Sequence, residues 1–220
     1  MQPFYIGLSR LSTLAERYKD RAGLLRNEAR RILRLLDGDC PAAIENGGRP
    51  FFPDAHADFS ISHSRNMAAV ALLPNPFYGH NTGGGPPSAP RTGCDIQYAA
   101  FTKPHGGISR NYFHASERSY IEAARGEEHS RRFYRLWVLK ESWIKLRGAS
   151  VFEIAHAPVF TITGDERKIV TASMPAPDAA PLQAAFFLYE IEAAPDEWYM
   201  LAAAREGDTD GQAEPEIRWF

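Results

Sequence analysis

The segment Trp137-Val138-Leu139-Lys140-Glu141-Ser142-Trp143-Ile144-Lys145 sets two ammonium groups and a carboxylate on an otherwise apolar stretch. At about 100° per residue, Leu136, Leu139, Trp143 and Leu146 form one apolar stripe, which Phe133, Trp137 and Ile144 widen. Lys140 projects into that widened sector. A buried ammonium without a partner loses its proton or destabilises the fold by several kcal/mol, so an anion is expected beside it. Glu141 and Lys145 sit one turn apart at the edge of the same zone. The competing reading makes them an i,i+4 surface pair worth ~0.3 kcal/mol, with Lys140 running its stem along the apolar surface to water.

Two further segments carry candidate chemistry. Phe59-Ser60-Ile61-Ser62-His63-Ser64 alternates as a strand and stops in a His-Ser-Arg-Asn turn. Protonated His63 can donate to a phosphate, and Ser60, Ser62 and Ser64 add hydroxyl donors; the alternative is that these polar groups satisfy nearby backbone. Gly93-Cys94-Asp95-Ile96-Gln97 reads as a short strand with Asp95 and Gln97 on one face. Two oxygen ligands on one face suit Mg²⁺, whereas a lone Asp on a strand more often caps a turn. A serine hydrolase is disfavoured, because Gly-x-Ser-x-Gly is absent. Zinc ligation is disfavoured because His56, His63, His105, His114, His129 and His156 lack Cys or His partners at usable spacing. The triple glycine at 83–85 is not followed by Gly-Lys-Ser/Thr, so it is not a phosphate loop.

The elements that must position these residues follow from periodicity and punctuation. Residues 4–8 read as a strand and 12–36 as a helix with a basic outer face, which Gly38 stops. Arg17, Lys19, Arg21, Arg26, Arg30 and Arg31 form that face; most are expected to be solvated, with one or two free to reach a phosphate. Strands are predicted at 42–45, 59–62, 67–73 and 93–98, helices at 109–125 and 130–147, and strands at 159–163, 184–192 and 198–204. Residues 74–92 hold too much Pro and Gly for anything but a loop. Helices followed by several strands in each half point to an α+β protein of two similar modules, 1–100 and 101–205. A polar tail, 206–220, ends in a weak apolar anchor.

With 220 residues, 44% hydrophobic, the chain can bury a full core as one large domain or two small ones. Its net charge of −2 argues against coating nucleic acid, so any phosphate site must be local. Cys40 and Cys94 lack metal spacing and are read as reduced and structural. No stretch approaches the ~18 apolar residues of a membrane span and no secretory leader is visible, so a soluble cytoplasmic protein without membrane or nucleic-acid partners is expected.

Gly-Arg-Pro (48–50), Phe-Ser-Ile-Ser-His-Ser (59–64), Gly-Cys-Asp-Ile-Gln (93–97) and Trp-Val-Leu-Lys-Glu-Ser-Trp-Ile-Lys (137–145), in that order, resemble the 4′-phosphopantetheinyl transferases, in their surfactin-type, pseudo-dimeric branch. The resemblance is strongest from Gly48 to Gly148 and poor over the first 45 residues. It implies a fold of two pseudo-symmetric α+β halves, each a small, mainly antiparallel sheet packed with helices, with coenzyme A between them. The implied reaction moves the 4′-phosphopantetheine arm of coenzyme A, as co-substrate, onto a serine of an acyl or peptidyl carrier protein. Adenosine 3′,5′-bisphosphate is released, and Mg²⁺ is the cofactor. By the same resemblance, Asp95, Gln97 and Glu141 would hold the metal, and Asp95, Glu141 and Lys145 would act in catalysis. Glu141 is the preferred proton acceptor over Glu117. Arg49, Ser62, His63, Glu117, Lys140 and Lys145 would bind coenzyme A, and Arg17 and Arg21 are candidate phosphate cations. Arg110, Arg118, Arg131 and Arg132 would rim the carrier site. Gln97 stands where this branch has an acid, which implies a weaker metal site, and 74–92 is an insertion. Two halves in one chain favour a monomer. The alternative is a coenzyme A or nucleotide binding module without catalysis.

Overall fold

The computed structural model describes residues 3–11, 20–38, 49–78, 90–101, 105–164, 169–175, 182–207 and 214–220. The expected strand at 42–45, Arg17, Cys40 and residues 79–89 of the long loop lie outside the described residues.

The chain begins with β1 (Tyr5–Arg10), α1 (Arg21–Asp37), β2 (Ala57–Ser64) and β3 (Met67–Pro74). It continues through β4 (Thr92–Tyr98), α2 (Gly106–Tyr112), α3 (Ala115–Glu122) and α4 (Gly126–Arg147). A short 3-10 helix (Val151–His156) leads to β5 (Val159–Thr163), β6 (Ile169–Ser173), β7 (Ala184–Ala194), β8 (Glu197–Glu206) and β9 (Glu216–Trp219). One sheet has the order β2-β3-β1-β9, a second β4-β8-β7, and β5 pairs with β6. All pairings are antiparallel except β1 with β9, so the protein is α+β with small, mainly antiparallel sheets.

The two larger sheets pack face to face. Met67, Ala69, Ala71 and Leu73 of β3 share a core with Cys94 and Ile96 of β4 and with Tyr199, Leu201 and Ala203 of β8. The alternate residues Ala68, Val70 and Leu72 pack on Leu25, Ala29, Ile32 and Leu33 of α1. Met200 and Ala202 of β8 face Phe133, Leu136 and Leu139 of α4. The layers therefore run α1, sheet, sheet, α4. A strand buried on both faces has no polar side to show, which explains the unbroken apolar run of β3.

Both outer-layer helices, α1 and α4, approach their sheets over a glycine. A Cβ on Gly7 of β1 would lie 2.3 Å from the Ile32 side chain of α1, and one on Gly93 of β4 would lie 2.1 Å from the Ser142 carbonyl of α4. α4 itself is bounded by Glu127 and Glu128 in its first turn, Lys145 and Arg147 in its last, and left-handed Gly148 at φ 65°. Those charges complement the helix dipole, and glycine takes the left-handed cap without Cβ strain.

The helical stretch expected at 109–125 is two helices. Phe113 and His114 are extended, and Glu117 reaches back to accept from the His114 amide at 2.9 Å, so a new helix starts there. The hairpin strand β6 and the 3-10 helix carry too weak a pattern to be read in advance. The apolar end of the tail is strand β9, paired with Tyr5–Leu8 of β1, so the last residues return to the first sheet.

Candidate active site

β2 and β4 meet at the junction of the two sheets, joined by hydroxyls where a backbone ladder would otherwise run. The amides of Cys94, Ile96 and Tyr98 donate to Oγ of Ser60, Ser62 and Ser64 at 3.0, 3.2 and 2.9 Å. The alternation Ser-x-Ser-x-Ser thus gives every second amide of β4 an acceptor. Each serine keeps its own proton to donate onward. The hydroxyls foreseen as phosphate donors are therefore first of all backbone acceptors.

A pocket of about 420 Å³ opens beside this junction, lined among others by Arg26, Arg30, Ser62, His63, Asp95, Gln97, Glu141 and Lys145. Asp95, only 2% exposed, is held from three sides. Its Oδ1 accepts from Ser62 Oγ at 2.8 Å and Lys145 Nζ at 2.7 Å, and its Oδ2 from Gln97 Nε2 at 3.3 Å. Burial works against the Lys145 ammonium, but the charge of Asp95 leaves it above its ordinary value. Glu141, one turn before Lys145, makes no hydrogen bond among the described residues. Burial, and then the charge of Asp95, push its carboxyl up to about 7 while Lys145 opposes them. His63 is held below its ordinary value by burial first and by Lys145 second. Both influences favour the neutral ring, with one N–H to offer, over the protonated donor expected from sequence.

Three expected ligand contacts lie elsewhere. Lys140 is 1% exposed, and its Nζ lies 3.0 Å from Glu117 Oε2 and donates to the Pro158 carbonyl at 3.1 Å. The anion required by this lysine is thus a protein carboxylate from α3. Glu117, also 1% exposed, accepts from the amides of His114 and Phe160, each at 2.9 Å, and does not line the pocket. The ammonium is shielded further by the Phe113 and Phe160 rings, 5.5 and 5.8 Å away. Arg49 is spent on structure: it pairs with Asp58 at 2.5 Å and donates to the carbonyls of Phe59, Thr92 and Leu146. Only its neighbour Pro50 reaches the pocket.

The α1 cations that reach the pocket are Arg26 and Arg30, four residues apart and so on one helix face. Arg21 instead donates to Asn66 Oδ1. The signal that would have found them is registry: Leu25, Ala29, Ile32 and Leu33 form the buried stripe, and Arg26 and Arg30 flank it on one side. Of the rim candidates, Arg131 pairs with Glu190, Arg132 with Glu128, and Arg118 donates to the Phe113 carbonyl.

Among the described residues no group of three or more His, Cys, Asp or Glu is placed to hold a metal. Asp95 and Glu141 nevertheless fit a hard divalent cation that takes its remaining ligands from phosphate and water. The repulsion from Asp95 that helps to raise Glu141 is charge such a cation would neutralise. Gln97, expected as a third ligand, turns its Nε2 to Asp95 and its Oε1 to Ser64 Oγ at 3.4 Å. Cys94 is buried and free. No helix among the described residues is long and apolar enough to cross a membrane.

Residues 91–199 match the family model of the 4′-phosphopantetheinyl transferase superfamily. Curated relatives share the same description. 4′-Phosphopantetheinyl transferase HetI of Nostoc sp. is 22% identical over 154 residues, 68% of this chain and 59% of that protein. Sfp of Bacillus subtilis is 31% identical over 127 residues, 57% of this chain and 49% of its own length. AcpT of Salmonella typhimurium is 27% identical over 110 residues, 50% of each chain. The chain therefore spans about half the length of the curated relatives it matches. A solved apo-ACPS structure from Chronobacterium ammoiniagenes overlaps 54% of this chain and 98% of its own at 18% identity and a TM-score of 0.36, too little to speak to the fold.

Proposed function

Since this chain belongs to the 4′-phosphopantetheinyl transferase superfamily, we propose that its pocket binds coenzyme A and transfers the 4′-phosphopantetheine arm to a serine of an acyl or peptidyl carrier protein. The observation that carries this reading is the ordering of charge in the pocket. Arg26, Arg30 and Lys145 line the pocket with two carboxylates, Asp95 and Glu141, and Glu141 makes no hydrogen bond among the described residues.

In this reading Arg26 and Arg30 bind phosphate groups of coenzyme A from α1, and neutral His63 donates one N–H to a phosphate oxygen. Lys145 lies beside the bridging pyrophosphate and, by charge, favours the negative charge developing on the leaving phosphate. Glu141 accepts the proton of the carrier serine. The serine oxygen forms a new bond to the β-phosphorus, and the bond from that phosphorus to the bridging oxygen breaks. Adenosine 3′,5′-bisphosphate departs with the electron pair. Mg²⁺, held by Asp95 and Glu141, would supply charge neutralisation on the pyrophosphate. Ser62 fixes the Asp95 carboxylate through its hydroxyl.

The repeated pattern of a helix laid over a strand glycine, Gly7 under α1 and Gly93 under α4, supports two pseudo-symmetric halves, about 1–100 and 101–205. A cytoplasmic monomer is part of the same proposal. The test is intact-protein mass measurement of apo carrier proteins incubated with this protein, coenzyme A and Mg²⁺. A gain of one phosphopantetheine arm, absent with Glu141→Ala, is expected. A pocket that binds coenzyme A and modifies no carrier overturns the transferase reading.

A further inference from the structure

The polarity of a single chain of hydrogen bonds decides what Gln97 does. The Tyr98 amide donates to Ser64 Oγ at 2.9 Å, so that hydroxyl sends its own proton elsewhere, and the Gln97 Oε1 atom lies 3.4 Å away to accept it. That orients Nε2 towards Asp95 Oδ2 at 3.3 Å. The reverse orientation would set an amide oxygen against a carboxylate oxygen, which is repulsive. Ser62 and Lys145 occupy Oδ1 of the same carboxylate. Asp95 therefore has protein donors on both of its oxygens.

The charge around it agrees. Arg26, Arg30 and Lys145 outnumber Asp95 and Glu141 in the pocket lining. A divalent cation arriving alone must displace Lys145 from Asp95 and approach past the guanidinium groups of Arg26 and Arg30. A cation arriving on a diphosphate brings the anionic charge that Lys145 and the arginines can take instead.

Resting on the coenzyme A reading of this pocket, we infer that Gln97 is a positioning residue rather than a metal ligand, and that the pocket takes a divalent cation only together with a diphosphate ester. Gln97 holds Asp95 ready without a metal, and the diphosphate supplies the ligands that an acid at position 97 would otherwise give. By linkage, metal and coenzyme A then strengthen each other's binding by the same factor.

The test uses Mn²⁺ as the probe, followed by its electron paramagnetic resonance signal, with the wild-type protein and Gln97→Glu. Wild type is expected to bind little Mn²⁺ alone and about tenfold more tightly or better once coenzyme A is present, beyond what coenzyme A binds by itself. Gln97→Glu is expected to bind Mn²⁺ alone about tenfold more tightly than wild type and to lose most of the dependence on coenzyme A. Wild-type protein that binds Mn²⁺ alone as tightly as in the presence of coenzyme A overturns the inference, and that arm stands even if the variant does not fold. Calorimetry of coenzyme A in the presence of Mg²⁺ separates the two ideas. If coenzyme A does not bind at all, the transferase reading fails with this one; if it binds while Mn²⁺ also binds unaided, only the role of Gln97 is wrong.

Discussion

Replacing Lys140 with Met tests whether this lysine serves the fold or the ligand. The ammonium and the Glu117 carboxylate are 2% and 0% exposed at the side chain and lie 3.0 Å apart. Burial pulls the ammonium below its ordinary value while Glu117 opposes that pull. Removing one member of such a pair leaves the other charge buried, at a cost of about 3–5 kcal/mol. Lys140→Met should fall near the lower end, because Glu117 keeps the amides of His114 and Phe160. Glu117→Ala should cost more, about 5 kcal/mol, since it also removes the reach-back bond at the start of α3 and orphans the Phe160 amide. The double variant Lys140→Met with Glu117→Ala should recover about 2 kcal/mol relative to the sum of the singles, because no lone charge remains. Urea unfolding gives these differences from the midpoint and slope. Coenzyme A affinity, measured by calorimetry well below the unfolding transition, should change little. Wild-type stability of Lys140→Met combined with a large loss of coenzyme A affinity would refute the structural assignment and return this lysine to the phosphate.

Glu141 should make the ligand-free protein less stable as pH rises. Its folded value of about 7 lies above its ordinary 4.5, so the folded state holds its proton more tightly, and that advantage is lost between roughly these two values. Glu141→Gln is therefore expected to gain about 1–2 kcal/mol over wild type at pH 8 and little at pH 4, read from thermal melts at both; a gain confined to acid pH contradicts the stated environment. Gly93→Ala places a Cβ 2.1 Å from the Ser142 carbonyl and 2.5 Å from the Leu146 amide of α4. It should cost about 3 kcal/mol and weaken coenzyme A binding, because α4 carries Glu141 and Lys145; an unchanged melting temperature would show that α4 can move aside freely. Arg26→Ala with Arg30→Ala should lower coenzyme A affinity about tenfold or more while leaving the urea midpoint nearly unchanged, as both lie outside the α1 core stripe; equal affinity in calorimetry would remove α1 from the site.

The sequence alone determined the things that depend on neighbours along the chain. The doubly apolar run of β3, the wide apolar face of α4 with its glycine stop, and the alternation in β2 and β4 each report the environment of one element. That Glu141 and Lys145 share a turn of α4 was also legible, whereas their meeting with Asp95 was expected only from the family resemblance. Tertiary structure decided the partners. Whether the buried Lys140 met a ligand phosphate or a protein carboxylate depended on α3 folding back across α4, from a residue 23 positions away in sequence. Whether Ser60, Ser62 and Ser64 served a ligand or β4 depended on the edge strands β2 and β4 of the two packed sheets meeting, 34 residues apart along the chain. Arg49 was committed in the same way, to carbonyls of three separate segments. Periodicity specifies which face of an element is buried or polar, but a hydrogen bond or ion pair needs the position of a second element, and only the packed layers supply that.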